Sequence, residues 1–357
     1  MSSAWGNGHA TLWRGLIKGL HRLGHRVIFF EHDTPYHAQH RDLRELPGGK
    51  LKLYASWDDV RRDAATQLAD ADAAIVTSCC PDAVAAAELI FTSPVRVRCF
   101  YDLDTGVTLD RLRAGQSVDY IPANGLGDFD LVLSYIGGHA LSELKTCLGA
   151  RHVAPLYGSV DPEIHHPTAP IDRFRCALSY LGAYAADSQR DLEDFFVEPA
   201  RRRPDLKFIL GGPQYPASFP WTPNMFMLPD VAPEEHSAFY CSSRLTLSLT
   251  RRATADMGYC PSGRLFQAAA CGVPILSDEW EGLDYFFEPG REILVARTTG
   301  HVMDALAMSD EELGRIARAG RERALAMHTA DRRALDLENI LEAAVSLPVE
   351  QAGSARE

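Results

Sequence analysis

The sequence predicts an α/β fold made of two Rossmann-like domains, each with a parallel sheet that helices cover on both faces. The chain has 357 residues, a length that suits two domains. Short, continuously apolar segments alternate with amphipathic helical stretches, which is typical of buried parallel strands. This alternation stops at 158–172, a segment rich in Pro, Asp and His, and begins again after it.

The apolar segments give the predicted strands in chain order. In the first half they are 26–30, 74–78, 97–101, 131–135 and 153–156. In the second half they are 177–181, 207–210, 245–249, 273–277 and 292–295. The first helix is predicted from leucines spaced three and four residues apart, at positions 12, 16, 20 and 23.

The irregular segment between the two series of strands is interpreted as a linker between domains. The N-terminal domain is expected over 1–160 and the C-terminal domain over 161–327. The tail is mostly helical, and its last helix, at about 328–346, is expected to cross back to the N-terminal domain. Only residues 1–4 precede the first glycine-rich loop, so a strand of usual length is not expected before that loop.

Composition and charge exclude several classes of protein. The hydrophobic share of 46% and the charged share of 24% are ordinary for a globular chain and argue against disorder. The formal net charge is -12, with no long block of one sign, which disfavours binding to a nucleic-acid backbone. The sequence has neither a membrane-length apolar run nor a signal-peptide pattern, so we expect a cytoplasmic protein.

Cysteine and histidine usage predicts neither a disulfide framework nor a metal site. The sequence contains 8 cysteines without a CxxC pair, mostly in apolar runs, so we expect buried and reduced thiols. His37 and His40 have a spacing seen in metal sites. No Cys or carboxylate cluster completes a ligand set in the sequence, so we interpret these two residues as loop histidines.

A glycine-rich loop opens the first predicted helix. Gly6 and Gly8 would let a ligand approach the backbone, and His9 at the loop edge is a candidate base. One alternative is a plain strand–helix turn in which the histidine has no role. Another is a partial dinucleotide fingerprint, with Glu31 as the ribose-binding acid, although Thr11 replaces the third glycine.

Polar residues also follow two other predicted strands, where ligands of open α/β sheets collect. Asp102 and Asp104 are candidates for catalysis, one orienting and the other acting as a base. The alternative is that Asp104 or Thr105 only caps the next helix. His139 comes directly after two glycines. This segment either places the histidine in a cleft or forms a plain turn, and the sequence favours neither interpretation.

The most specific pattern lies in the second half, at 247–283. A predicted strand leads to Arg251, and a Pro-Ser-Gly loop then enters an alanine-rich helix that carries Arg264 and Gln267. Gly272 is predicted to end this helix, and the following strand ends at Asp278. The two arginines and the helix N-terminus would suit a diphosphate, and the glutamine would suit a ribose.

A related pattern opens the predicted C-terminal domain. Gly182 directly follows a strand, as expected where the phosphates of a donor approach the backbone. The chain shows none of the motifs of P-loop proteins, serine hydrolases or zinc proteases.

The pattern at 267–274, Gln-Ala-Ala-Ala-Cys-Gly-Val-Pro, resembles the C-terminal signature of GT-B glycosyltransferases of the family 4 type. The chain resembles the CgeB-like group of glycosyltransferase-like proteins more closely, through residues spread over nearly its whole length. These include 5–9, 101–105, 137–138, 157–162, 261–266, 277–283, 286–287 and 289–290. The family 4 signature has two glutamates eight positions apart, where this chain has Tyr259 and Gln267.

The resemblance implies a GT-B fold, in which two Rossmann-like domains with parallel sheets face one another across a cleft. It implies a donor site in the C-terminal domain, with Arg251 and Arg264 at the diphosphate, Gln267 at the ribose and Gly182 in the donor loop. It also implies an acceptor site near the glycine loop and the two aspartates, with no metal ion or other cofactor.

The function expected from these residues is the transfer of a sugar from a nucleoside-diphosphate sugar to an acceptor hydroxyl. One alternative is a nucleotide-sugar epimerase of the same fold, which would need no acceptor. A non-catalytic relative that binds sugars or surfaces is another, because Gln267 lacks the carboxylate charge. A NAD-dependent oxidoreductase is a third, suggested by Gly6, Gly8 and Glu31.

Overall fold

The computed structural model of the chain describes residues 1–5 and 7–346. The first half contains α1 (Gly8–Arg22), β1 (Val27–His32), α2 (Pro35–Gln39), β2 (Gly49–Tyr54), α3 (Trp57–Leu68), β3 (Ala73–Thr77), α4 (Ala83–Phe91), β4 (Val97–Asp102), α5 (Thr105–Arg113), β5 (Leu131–Ser134), α6 (His139–Leu148) and β6 (Val153–Pro155). The second half contains β7 (Leu178–Leu181), α7 (Gln189–Leu192), α8 (Glu198–Arg202), β8 (Phe208–Gly211), β9 (Met225–Leu228), α9 (His236–Cys241), β10 (Thr246–Ser248), α10 (Arg252–Ala255), α11 (Gly263–Cys271), β11 (Ile275–Asp278), α12 (Leu283–Phe286), β12 (Leu294–Ala296), α13 (Thr299–Ala307), α14 (Asp310–Met327) and α15 (Ala330–Val345).

Each half of the chain has its own parallel sheet, as the alternation of strands and helices predicts. In the first half, β3, β4, β5 and β6 form a 4-stranded sheet in that order. In the second half, a 6-stranded sheet has the order β12-β11-β10-β7-β8-β9. All the strand pairs in these sheets are parallel, so the strands of each sheet end at a common edge.

The first half departs from a continuous Rossmann sheet. β1 and β2 form a separate 2-stranded sheet, and no strand within the described residues joins it to β3. Residues 1–4 are buried beside the end of β1, where the Ser2 N–H donates to Oε2 of Glu31 at 2.8 Å. The Glu31 carboxylate therefore already accepts a hydrogen bond from the N-terminal segment of the chain. This argues against the interpretation of Glu31 as the ribose-binding acid of a dinucleotide site.

Two strands, β2 and β9, are missing from the sequence prediction. Both lie at the edge of a sheet and contain exposed residues. In β2, lysines alternate with leucines, and in β9, Phe226 is 49% exposed. The alternation in β2 lacks the continuous apolar run that identifies buried parallel strands, so the sequence criterion does not find this strand. β9, in contrast, is a continuous apolar run of 4 residues that the sequence analysis did not select.

The leucine face of α1 is confirmed at three positions and wrong at the fourth. Leu12, Leu16 and Leu20 are buried, whereas Leu23 follows the helix end and is 41% exposed. α1 packs closely against α15, and a Cβ at Gly19 would lie 2.8 Å from the Cβ of Ala334. The last helix therefore lies on the first half of the chain, while the numerical domain boundaries stay a prediction.

The expectation of buried cysteines is only partly correct. Cys99, Cys260 and Cys271 are buried, but Cys79 and Cys147 are exposed, and all 8 cysteines are free thiols. Cys79 lies in the loop after β3, and Cys147 lies in the last turn of α6. Apolar neighbours in the sequence thus do not determine whether a thiol faces the core. Within residues 1–5 and 7–346, no helix combines the length and apolarity needed to cross a membrane.

Candidate functional site

The carboxyl ends of β3 and β4 meet the start of α1 at one edge of the first half. His9 lies in the first turn of α1, and its Nε2 atom is 3.5 Å from Oδ2 of Asp104. The Cys79 thiol donates to the same Oδ2 atom at 3.3 Å. Two predicted catalytic residues, His9 and Asp104, are thus brought together, and Cys79 joins them although the sequence analysis did not select it.

The third predicted catalytic residue, Asp102, lies directly behind this group and is fully buried. Its Oδ1 atom accepts hydrogen bonds from the Thr108 hydroxyl and from the Asp104 N–H, each at 3.1 Å. Its Oδ2 atom is buried and has no hydrogen-bond partner among the described residues. Burial raises the pKa of Asp102 to about 7, against the lowering effect of the Thr108 and Asp104 hydrogen bonds.

The environments of the two aspartates push their pKa values in opposite directions. Burial acts to raise the pKa of Asp104, but the hydrogen bond and charge of His9 outweigh it and hold that pKa below its usual value. The charge of Arg251 lowers it further. Asp104 is therefore ionised at neutral pH, whereas burial favours the protonated form of Asp102, and such a separation is typical of carboxylates with different roles.

The glycine loop places His9 without filling the space beside it. The Asn7 side chain caps α1 by accepting the Ala10 N–H at 3.3 Å. No described atom lies within 4 Å of where a Cβ of Gly8 would be, and Gly8 itself is exposed. The packing of the described residues therefore does not require this glycine, and the position stays open to a ligand. Gly6, the other predicted loop glycine, lies outside the described residues.

On the second half, Arg264 lies at the carboxyl ends of β7 and β10. Its guanidinium donates to the Leu181 carbonyl through Nη1 and to the Leu249 carbonyl through Nη2, the latter at 3.4 Å. The group also lies over the Tyr180 ring, 5.6 Å from the centroid. A Cβ at Gly182 would overlap Nη1 of Arg264. The close approach of this guanidinium thus explains the glycine, and it holds the positive charge in a fixed place.

Arg251 lies just before α10, and its charge reaches the first half. Its side chain is exposed, and it contributes to the lowered pKa of Asp104. α10 packs against α5, where a Cβ at Gly106 would lie 2.7 Å from the Thr254 hydroxyl. This contact between two small residues joins α10, which directly follows Arg251, to the first turn of α5, which directly follows Asp104. Arg251 and Arg264 are both predicted to hold one diphosphate. Their surroundings differ, because Arg251 is exposed whereas Arg264 donates to two backbone carbonyls.

Asp278 and Gln267 complete the predicted donor residues. Asp278 is buried and accepts hydrogen bonds from the N–H and the hydroxyl of Thr250, at 3.0 and 3.2 Å. These hydrogen bonds connect the end of β11 to the residues after β10. Burial raises the pKa of Asp278 to about 6. Gln267 is half-buried on α11, one turn after the Ser262 cap. α11 ends at Gly272 in the left-handed conformation, as predicted.

The paired glycines before His139 form a joint between the two halves. The Gly137 N–H donates to the Tyr259 carbonyl and the His139 N–H to the Met257 carbonyl, both at 2.9 Å. Gly138 has a φ of 60°, and a Cβ there would overlap the Met257 carbonyl. The His139 side chain is exposed, 3.6 Å from Glu281. This segment is therefore more than a simple turn, because its backbone binds the other half, and a role of the exposed His139 side chain in a cleft stays a prediction.

The comparisons with known proteins fit this arrangement. Residues 190–339 match a family model described as "Glycosyl transferase-like". Among curated protein sequences, no match to the chain is found.

Several solved structures are similar over nearly the whole chain. Sucrose-phosphate synthase from Thermosynechococcus elongatus has a TM-score of 0.67 at 12% identity, covering 94% of this chain and 93% of that one. Anabaena Alr3699/HepE, in complex with UDP and glucose, has a TM-score of 0.66 at 12% identity, covering 96% and 98%. AviGT4, a glycosyltransferase involved in avilamycin A biosynthesis, has a TM-score of 0.64 at 14% identity, covering 96% and 91%.

These likenesses establish the GT-B fold. The predicted fold class, two Rossmann-like units with parallel sheets, is confirmed, as is the resemblance to GT-B glycosyltransferases. The CgeB-like subtype stays a prediction. The identities are too low to carry the residue roles of those proteins over to this chain.

Proposed function

We propose that this GT-B protein transfers a sugar from a nucleoside-diphosphate sugar to a hydroxyl group of an acceptor. One observation carries the proposal. The charge of Arg251, from the second half, acts on Asp104, the ionised carboxylate that lies 3.5 Å from His9 in the first half. A cation suited to a departing diphosphate thus acts electrostatically on the carboxylate that pairs with the candidate base, an arrangement that suits the reaction.

On the acceptor side, His9 is the best candidate for the base. A carboxylate with a lowered pKa, such as Asp104, is a weak base, but it can orient an imidazole and stabilise the imidazolium that forms. In the proposed step, the acceptor hydroxyl attacks the anomeric carbon, and its proton moves to His9. The bond from that carbon to the diphosphate oxygen breaks, and the electron pair leaves with the diphosphate.

On the donor side, positive charge comes from the protein itself. Arg264 holds a fixed guanidinium at the strand ends, and Arg251 adds a second, exposed one. The N-terminus of α11 adds the partial positive charge of the helix dipole. In this proposal Gln267 contacts the ribose from one turn further along, Asp278 holds the loop that carries Arg251, and no metal ion or cofactor takes part. UDP is bound in the similar Alr3699/HepE structure, which supports a nucleoside diphosphate as the donor group.

The proposal is tested by calorimetric titration with UDP, dTDP and GDP. We expect one of them to bind, and we expect Arg251→Gln to weaken that binding by about tenfold or more, since hydrogen bonds between charged groups contribute roughly 1.5–3 kcal/mol. The neighbouring Arg252→Gln is the matched control, because Arg252 is also exposed and pairs with Asp256 at 3.6 Å. No binding of any of the three nucleotides would contradict the proposal.

A non-catalytic, sugar-binding protein is the second candidate. It is favoured by Gln267, which lacks the charge of the family glutamate, and by the internal hydrogen bonds that occupy Arg264. Turnover of the bound donor separates the candidates. Transfer to a member of a hydroxyl-acceptor panel supports the transferase, and a changed sugar without any acceptor indicates an epimerase. Binding without either product indicates the non-catalytic protein.

A further inference from the structure

One aromatic side chain of the first half reaches the start of the helix that carries Arg264. Tyr135 directly follows β5, and its N–H donates to the Asp102 carbonyl at 2.9 Å. A Cβ at Gly263, the first residue of α11, would lie 3.4 Å from the Tyr135 hydroxyl oxygen. The backbone of the tyrosine is thus tied to the strand that carries Asp102, while its hydroxyl lies at the N-terminus of α11.

A second glycine makes room for this hydroxyl. A Cβ at Gly158 would overlap the Tyr135 hydroxyl and would lie 2.9 Å from the ring carbon that bears it. Gly158 does not have a positive φ, so its backbone conformation does not require a glycine, whereas the approach of Tyr135 does. Tyr135 is half-buried, and its side chain packs against the core around Leu16 and against the cluster that contains Phe266 of α11. The position of the hydroxyl is therefore fixed from both halves.

The space in front of Gly263 is otherwise open. Apart from chain neighbours and the backbone of α11 itself, the Tyr135 hydroxyl oxygen is the only described atom within 4 Å of a Cβ at Gly263. Gly263 does not have a positive φ either, so neither the packing nor the backbone of the described residues requires a glycine here. A glycine of this kind lets a ligand approach the backbone closely, and the dipole of α11 favours an anion as that ligand.

The charges around Tyr135 suit a hydroxyl that keeps its proton. Burial raises the pKa of Tyr135 to about 12, against the lowering effect of the charges of Arg333 and Arg264, and Asp104 adds to the rise. At neutral pH the phenol is therefore a hydrogen-bond donor. Arg264 directly follows Gly263 in the chain, and two backbone carbonyls hold its guanidinium in place. A fixed cation and a fixed donor thus border the same space.

We propose that Tyr135 is a further catalytic residue, whose hydroxyl donates a hydrogen bond to the diphosphate at the N-terminus of α11. This inference rests on the proposed sugar transfer, and it adds a contact from the first half to a donor site otherwise built from the second. As the bond from the anomeric carbon to the diphosphate oxygen breaks, negative charge grows on the diphosphate, and the hydrogen bond becomes stronger. The phenol keeps its O–H bond throughout the step.

The first test is calorimetric titration of the full-length protein with inorganic pyrophosphate, which offers the diphosphate without a nucleobase or a sugar. We expect Tyr135→Phe to weaken this binding by about tenfold or more, because hydrogen bonds to charged groups are among the stronger ones. Tyr101→Phe is the matched control, since the Tyr101 hydroxyl donates to the Leu156 carbonyl at 2.6 Å inside the first half. Equal affinities in the two variants, or no binding of pyrophosphate to the unaltered protein, would overturn the inference.

Turnover distinguishes a catalytic hydroxyl from one that only binds the donor. With the donor that binds in calorimetry, Tyr135→Phe should lower kcat by at least about tenfold, because the hydrogen bond is strongest when the diphosphate departs. A change in KM alone, or normal turnover, would contradict the catalytic role and leave the sugar transfer intact. Absence of nucleotide binding to the unaltered protein, in contrast, would contradict the sugar transfer and the catalytic role together.

A second variant fills the open space and leaves the tyrosine unchanged. Gly263→Ala would place a methyl group 3.4 Å from the Tyr135 hydroxyl, where the diphosphate is expected. The fold should be kept, because alanine suits a helix at least as well as glycine, but pyrophosphate affinity should fall by about tenfold or more. Gly314→Ala is the control, since Gly314 is half-buried on α14 and its added Cβ would also lie 3.4 Å from a polar atom, Nη1 of Arg318. Equal pyrophosphate affinity in Gly263→Ala and Gly314→Ala would refute the placement of the diphosphate beside Tyr135.

Discussion

His9 and Asp104 face one another at the edge of the first half, with Nε2 and Oδ2 3.5 Å apart. They come from different parts of the chain, since His9 begins α1 and Asp104 follows β4. The contact affects the charge of the carboxylate, because His9 lowers the pKa of Asp104. The proposed proton transfer rests on this pair, and the predictions below begin with it.

His9→Asn should lower turnover by roughly 10²–10⁴-fold, the range in which general acid–base groups contribute. Nucleotide affinity should stay unchanged, because the donor is expected on the second half of the chain. The measurement is the rate of nucleoside diphosphate release with the donor that binds in calorimetry. His152→Asn is the control, since His152 is exposed. Equal loss of rate in both variants, or normal turnover in His9→Asn, would exclude His9 as the base.

Asp102→Asn should change the pH dependence of stability. The folded-state pKa of Asp102 is about 7 and its ordinary value is 3.8, so the folded chain binds more protons than the unfolded chain between these values. The stability contributed by protonated Asp102 is thus fully present below about pH 4 and is lost as the pH rises through 7. The shift corresponds to roughly 4 kcal/mol at most.

The measurement for this variant is urea unfolding at pH 5 and at pH 8. Asn is never charged, so Asp102→Asn should gain stability relative to the unaltered protein on going from pH 5 to pH 8. Parallel stability curves for the two proteins would mean that Asp102 is not protonated in the folded state near neutral pH.

Gly138→Ala should weaken the joint between the two halves. The new methyl group would overlap the Met257 carbonyl, in addition to the cost of a left-handed backbone at a φ of 60°. Gly115→Ala is a matched control, because Gly115 has a φ of 68° and no described atom lies within 4 Å of its added Cβ. We expect Gly138→Ala to lose about 1–3 kcal/mol more than Gly115→Ala in urea unfolding. Equal losses would show that the contact is not tight.

Gln267→Glu should strengthen binding of the nucleoside diphosphate. A carboxylate makes a charge-assisted hydrogen bond to a ribose hydroxyl that is roughly twice as strong as the bond made by an amide. A gain of about 1 kcal/mol corresponds to roughly fivefold tighter binding in calorimetry. The gain should vanish with the 2′,3′-dideoxy nucleotide. If the gain persists with that nucleotide, or if affinity falls with the ordinary one, Gln267 does not contact the ribose.

The sequence analysis found much of the site because carboxyl ends of parallel strands share one edge. Asp102 and Asp104 could be selected from an apolar strand followed by two carboxylates, without knowing any contact. Their different pKa values could not, because these depend on burial and on His9, which precedes them by more than 90 residues. Cys79 was missed because nothing in its local sequence indicates that its thiol donates to Asp104.

On the donor side too, the sequence indicated the functional residue types, and the fold decided their contacts. Gly182, Arg251 and Arg264 stand out in the sequence as groups suited to phosphates. Only the fold reveals that Arg264 is tied to the carbonyls of Leu181 and Leu249. Leu181 ends β7 and Leu249 directly follows β10, and a pattern of residue types does not specify which carbonyl a long side chain will reach.

The sequence by itself determined the alternation of strands and helices, the left-handed Gly272 that ends α11, and the amphipathic face of α1. These features depend on local backbone preferences and on the spacing of apolar side chains, so neighbouring residues specify them. Only the tertiary structure decided that Gly137 and His139 join the two halves, that Asp102 is fully buried, and that His9 lies beside Asp104. Each of these depends on contacts between segments far apart in the chain, which burial and packing select only when the whole fold is formed.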